Sequence, residues 1–313
     1  MYLLFKNILF SKKIILLQSY LQILNFKELT YSKKIFNENL TDVVILSHHI
    51  KDSYFFKTKK LLKKLNIKNI SIQCSNNFQV KFVYLLLKLR KFFFNNFELV
   101  ITGNANSYLD REFISLSDKT IILDDGTNIF DNIFQKSKLP NCKVFSAFDS
   151  FFFKKYDYAK NKYFFLKKKV KKMSGNSKDI YFIGSPFVEI FNVTKKEYIN
   201  LLEKTFLYLK SKNRIIYVPH PKEETSYLKE YFKNIQILEL DYPIELYLLN
   251  KKKFPERVVS FGSTALIILK KISNKFNIKN FNEKNSSSGN FNKDRKKRIN
   301  RYIKKLGIKS KII

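Results

Sequence analysis

Apolar positions along the first half of the chain switch repeatedly between two periods. Ile14–Leu17, Val43–Leu46, Asn69–Cys74, Leu99–Thr102 and Thr120–Leu123 are short, nearly continuous apolar runs of the kind buried strands carry. Between them, Tyr20–Leu29, Ser53–Leu65 and Val80–Phe93 repeat apolar residues at helical spacing, the second with a strongly basic outer face. Strands separated by helices pair in parallel through crossovers, which predicts an open, doubly wound sheet over residues 1–150.

Residues 151–178 break the pattern. They are aromatic and basic and end in Met173-Ser174-Gly175-Asn176-Ser177, so the chain is expected to cross here between two halves. A second alternation follows, with strands at Asp179–Ile183, Arg214–Val218, Ile235–Leu240 and Arg257–Phe261. Helices at Lys195–Lys212, Ile244–Asn250 and Thr264–Ser273 lie among them. Residues 179–273 thus form a second α/β half. Two consecutive Rossmann-like halves of this kind describe the GT-B architecture, with ligands taken at the carboxyl ends of the strands of both halves, across a central cleft. Residues 274–313 are rich in Asn, Ser, Lys and Arg, and read as a basic low-complexity tail with a flexible segment and room for one terminal basic helix.

Composition changes this picture little. Trp is absent, and Lys, Ile, Asn, Phe and Tyr, residues with AT-rich codons, are abundant. The net charge is +34. Because the lysines are spread along the chain, the charge is divided between solvated faces of a biased composition and attraction to anionic lipid, through Lys57–Lys64, Lys167–Lys172 and the tail. Nucleic-acid binding is the least supported partner class, since no zinc-finger or aromatic RNA-recognition spacing is present. The two cysteines, Cys74 and Cys142, each sit in an apolar run and read as buried thiols of a reducing compartment. The apolar opening is interrupted by Lys6, too short for a bilayer and followed by no small-residue cleavage site, so a cytoplasmic location is expected, with peripheral contact with the inner membrane.

Three polar clusters stand at strand ends. Asp124-Asp125-Gly126 follows the strand Thr120–Leu123. Adjacent carboxylates raise each other's pKa and suit a base beside an acceptor hydroxyl, although an Asp-Gly turn with a helix cap has the same letters. His220 lies between Pro219 and Pro221, which pre-set its backbone, and is one of three histidines in the chain. It suits an acid or phosphate donor as well as a structural position. Ser263-Thr264 joins a strand to a helix, where hydroxyls and N–H groups hold phosphate, or where Ser263 simply caps. Metal-ligand spacing, Asp-x-Asp, Walker and dinucleotide loops are all missing from the sequence. That fits a metal-independent, cofactor-free reaction on a donor with one phosphate.

In their order, Asp124-Asp125-Gly126, His220-Pro221 and Ser263-Thr264 resemble the motifs of bacterial sialyltransferases, most closely the lipooligosaccharide sialyltransferase family (glycosyltransferase family 52). Leu17–Asn25 is similar to that family's first strand and helix, with Tyr20 where Pro is usual. Ile101–Asn104 and Phe182–Pro186 are similar to two further segments, so the likeness spans about residues 14–273. The resemblance implies an inverting, GT-B-type transferase that moves sialic acid from CMP-sialic acid to a galactose hydroxyl of lipooligosaccharide. It implies Asp124 as base, His220 on the leaving phosphate, and Ser263 and Thr264 holding that phosphate. It also places Gly184 and Ser185 at the cytidine and Glu245 at the ribose. The same family contains glucosyltransferases, which leaves transfer of another sugar open.

Overall fold

A computed structural model describes residues 2–32, 43–44, 52–67, 77–126, 139, 141–209, 213–282 and 293–313. The chain divides into two compact units, Met1–Phe165 and Leu166–Ile313.

The first unit opens with helix α1 (Tyr2–Phe10), followed by β1 (Lys13–Leu16), α2 (Tyr20–Ser32), β2 (Val43–Val44), α3 (Asp52–Lys64) and α4 (Asn77–Phe93). It continues with β3 (Leu99–Thr102), α5 (Tyr108–Ser115), β4 (Thr120–Leu123), β5 (Cys142–Ser146) and β6 (Asp157–Lys160). Its six strands pair in parallel in the order β2-β1-β3-β4-β5-β6. The central strands β3 and β4 are buried on both faces, which is why they read as unbroken Val/Ile/Leu/Thr runs. The α4 residues Val80, Val83, Leu86 and Leu87 form one apolar stripe. They pack with Leu4, Ile8 and Leu9 of α1 against Ile14, Leu16 and Val100 of the sheet. The expected strand Asn69–Cys74 and His48-His49 lie outside the described residues. Cys142 is a buried thiol, and burial pushes its pKa up to about 11.

The second unit begins within α6 (Phe164–Val170). It then runs β7 (Asp179–Ile183), α7 (Phe187–Phe191), α8 (Lys195–Leu209), β8 (Arg214–Val218), α9 (Ser226–Tyr231) and β9 (Gln236–Ile237). The chain continues with α10 (Ile244–Asn250), β10 (Arg257–Ser260), α11 (Thr264–Ile272), β11 (Ile278–Asn282), α12 (Lys293–Lys305) and β12 (Lys309–Ile312). The sheet order is β12-β11-β10-β7-β8-β9, again all parallel. The chain winds outward from β7 in one direction and from β10 in the other, so the switch point lies between those two strands, where such sheets take ligands.

Two parallel α/β sheets in consecutive units are the architecture expected of the GT-B type. The boundaries differ from the expectation in two places. Residues 157–160, placed in the crossing, form β6 on the edge of the first sheet, and the division falls at residue 165 rather than 150. An exposed edge strand reading Asp-Tyr-Ala-Lys has no apolar run to reveal it. The region from 274, expected as a low-complexity tail, supplies β11 and β12 to the second sheet. The terminal basic helix is present as α12, and its Ile299, Tyr302 and Ile303 are buried at i, i+3, i+4 spacing, so it packs as part of the unit and is not a loose tail.

Candidate active site

The acidic motif occupies the carboxyl end of β4, in the middle of the first sheet. Asp124 is buried, and its Oδ2 accepts the Ala147 N–H at 2.7 Å, just beyond β5. The Asp124 carbonyl accepts from Asn25 Nδ2 at 3.1 Å. Asp125 is half-buried and turns the other way, accepting from Ser19 Oγ at 3.1 Å. Side chains alternate along extended backbone, so the two carboxylates diverge as their adjacency requires. Gly126 has φ +68°, the left-handed conformation that ends the motif. The segment that such a turn would cap, from Thr127 on, lies outside the described residues.

Asp124 and Asp125 line a depression with Gly103 and Asn104 from the loop after β3, Val144 of β5 and Phe153 beyond it. Beneath it runs a polar network with a centre the sequence reading missed. Asp110, in the first turn of α5, is fully buried and accepts from Thr102 Oγ1 and from Gln18 Nε2 (3.0 Å). Gln18 Oε1 in turn accepts from Asn104 Nδ2 at 3.1 Å. Burial pushes the Asp110 carboxyl up to about 7, against the pull of those donors. Its sequence signal is the Ser107-x-x-Asp110 capping pattern, since Ser107 is the N-cap of α5.

In the second unit the remaining candidates gather at the carboxyl ends of three neighbouring strands. Gly184 and Ser185 follow β7, His220 follows β8, and Ser263 and Thr264 follow β10. Gly184 and Ser263 therefore flank the switch point. Ser263 is the N-cap of α11, its Oγ accepting from Ala265 N at 3.3 Å. The turn before it depends on Gly262 (φ +77°), whose N–H is held by Asn280 Oδ1 of β11 at 2.8 Å. A residue from the discounted C-terminal region thus shapes the Ser263 loop.

His220 is half-buried. Burial, and then the Lys222 charge, push its pKa down to about 4, so the ring is neutral at neutral pH. Its Nδ1 accepts the Lys222 N–H at 3.2 Å, which leaves the ring proton on Nε2. Glu223, also unassigned from sequence, locks this turn. Its Oε2 accepts the His220 N–H at 2.9 Å, and its own N–H donates to the His220 carbonyl at 2.8 Å. Oε1 accepts from Tyr217 Oη, which lies 2.9 Å from Tyr198 Oη, and Tyr198 Oη accepts the Ser185 N–H at 3.2 Å. One buried chain therefore joins the ends of β7 and β8. Burial raises the Glu223 carboxyl to about 7.

Gly184 is required by this network. A Cβ there would collide with both Glu223 Oε2 and Tyr217 Oη. Gly184→Ala should cost about 1–3 kcal/mol of stability through forced displacement of that network, checked by denaturant melts. An unchanged midpoint would show that the packing is looser than drawn. Glu245, in the first turn of α10, is buried inside the unit and not presented on its surface, and burial holds its carboxyl up at about 7. Among the described residues, no group of three or more His, Cys, Asp or Glu is placed to hold a metal ion.

With the site in view, comparison with known proteins is decisive on one point: residues 4–281 match the alpha-2,8-polysialyltransferase family. The chain belongs to that family. The expectation of a sialyltransferase therefore holds, while the match is to the polysialyltransferase family and not specifically to the lipooligosaccharide family that the motifs resembled. No curated protein matches the chain. Among solved structures, a crystal structure of MurG from Acinetobacter baumannii is similar, at 10% identity and a TM-score of 0.48 over 96% of this chain and 85% of that chain. The polysialyltransferase match ends within β11, so it takes in all three motif clusters and Asn280, and stops before α12.

Proposed function

We propose that the protein is an inverting, metal-independent sialyltransferase that uses CMP-sialic acid. The observation that carries this reading is the family match, which spans the acidic motif of the first unit and the His220 and Ser263 loops of the second. In the proposed step, Asp124 takes the proton from an acceptor hydroxyl. That oxygen bonds to the anomeric carbon of the sugar while the bond to the CMP phosphate oxygen breaks. The transition state has oxocarbenium character, and negative charge grows on the leaving phosphate.

His220, neutral and carrying its proton on Nε2, donates a hydrogen bond to that phosphate, with Pro221 fixing the turn. Ser263 and Thr264, at the start of α11, offer hydroxyls and N–H groups to the same charge. Gly184 and Ser185 border the cytidine. Contact between Glu245 and the ribose needs its buried side chain to turn outward. Asp125 and Gly126 shape the acceptor side.

Two acceptors are proposed. The motif resemblance favours a galactose-type hydroxyl on lipooligosaccharide, and the family description favours a hydroxyl of a sialic acid already at a glycan terminus. Transfer of another sugar, such as glucose, is the alternative donor chemistry. The test is calorimetric titration with CMP, CDP, UMP and UDP, followed by transfer from CMP-sialic acid to galactose-terminated and sialic-acid-terminated glycans. Selective CMP binding and sialyl transfer are expected, and preference for UDP would overturn the donor assignment. Because the donor carries one phosphate and the sequence has no Asp-x-Asp, EDTA should leave the rate within about twofold. Loss restored by magnesium or manganese would refute the metal-independent step.

A further inference from the structure

We infer that the outer face of α4, together with α1, is a docking surface for an anionic lipid bilayer. This goes beyond the transfer reaction and does not depend on it. Residues Phe78, Lys81, Leu85, Lys88 and Phe92 follow one another at intervals of three and four along α4, so they form a single stripe. That stripe faces solvent. Phe78 is 65% exposed, Leu85 52% and Phe92 78%, with Lys81 and Lys88 exposed between them. The helix continues the theme with exposed Lys91 and with Phe93, 75% exposed. An amphipathic helix normally keeps such residues on its inner side, and α4 already buries Val80, Val83, Leu86 and Leu87 there. Its second apolar stripe is therefore surplus to the core.

The stripe is held rigidly and widened by α1. Arg90, on the inner side of α4, donates to the Ile8 and Leu9 carbonyls at 2.8 and 3.0 Å and so caps the end of α1. Its guanidinium rests 3.7 Å from the Phe97 ring centroid. On the surface, Phe5 meets Phe10 at 6.3 Å between ring centroids, and Phe10 meets Phe94 at 5.3 Å. Tyr2, Phe5, Lys6 and Phe10 of α1 are likewise exposed.

Charge selects the occupant. Residues 1–16 and 77–97 contain no Asp or Glu, and the carboxylate that follows, Glu98, is paired with Lys12 at 2.9 Å. Aromatic rings with interleaved lysines match a bilayer surface, where rings enter the headgroup layer and ammonium groups meet anionic phosphates. A second copy would bring the same lysines face to face across a symmetric contact.

Because the chain has no tryptophan, Phe92→Trp provides a single reporter on the stripe. Tyr231→Trp provides the comparison, on an exposed position whose hydroxyl donates to Glu203. With mixed phosphatidylcholine–phosphatidylglycerol vesicles, the emission of the Phe92→Trp protein should move to shorter wavelength and be quenched by brominated lipid. The Tyr231→Trp protein should not respond. Replacing Phe78, Phe92 and Phe93 together by Ser should lower vesicle partitioning roughly tenfold or more, with an unchanged melting temperature and unchanged turnover of a soluble acceptor. Should that variant melt early, Lys81→Glu with Lys88→Glu decides the question by losing binding to the anionic vesicles. Three results would each overturn the proposal: no response from the Phe92→Trp protein, equal responses from both reporters, or a shift in the Phe92→Trp protein that follows protein concentration without lipid.

Discussion

Asp124→Asn should slow sialyl transfer by roughly a thousandfold, the scale expected for removing a positioned base. Affinity for CMP and thermal stability should stay near wild type. The asparagine carbonyl oxygen can still accept the Ala147 N–H, and the Asn25 bond is to backbone, so the local frame survives. The nucleotide is assigned to the other unit, so its binding has no reason to change. Asp125→Asn should behave differently. It keeps an acceptor for Ser19 Oγ and so should alter acceptor KM more than kcat. Single-turnover rates, CMP titrations and melts on both variants decide between the two carboxylates. If Asp125→Asn removes the chemistry and Asp124→Asn does not, the roles are exchanged; if neither does, the acidic motif is not catalytic.

His220→Ala should lower kcat by about a hundredfold, as expected when a donor aimed at developing charge is removed. The fold should persist, because Glu223 and the flanking prolines hold the turn and removal of the imidazole costs it only the bond from the exposed Lys222 N–H. The pH profile separates two ways in which a histidine could serve. With its pKa depressed to about 4, His220 is neutral well above that value and acts through the Nε2 proton as a hydrogen-bond donor. Raising the pH from about 6 to about 8 should therefore not reduce kcat on its account. A rate that falls through this range in wild type, but not in His220→Gln, would show that the charged ring is required and that the phosphate itself lifts the pKa.

Much of the fold was written in local periodicity. The strands from Ile14, Leu99, Thr120, Asp179, Arg214 and Arg257 are found within a residue or two of expectation, because the parallel interior of a sheet demands apolar runs on both faces. Helices α2, α3, α4, α8, α10 and α11 are found within three residues of expectation at each end, each with an apolar stripe or an N-terminal signal such as Ser263. The edge elements were less legible. β6 and β12 carry lysines and little apolar surface, since a strand paired on one side needs less burial, and β11 lies in an Asn- and Lys-rich stretch.

The candidate site divides along the same line. Asp124, His220 and Ser263 could be singled out from sequence because each stands at a strand end beside residues that constrain backbone, namely Gly126, two prolines and a helix start. Their supports could not be read this way. Glu223, Tyr217 and Tyr198 are joined by hydrogen bonds between side chains brought together where α8 packs over the end of β8. Asp110 reaches Gln18 across 92 residues of chain, and Asn280 reaches Gly262 only because β11 lies beside β10. Local signals were enough for the two α/β halves and for the strand ends that carry the candidate motifs, because hydrophobic period and turn chemistry are properties of neighbouring residues. Long-range packing was needed to settle which buried carboxyls are held near neutrality and which face of α4 is left to solvent. Desolvation, hydrogen-bond partners and exposure depend on which distant elements pack together.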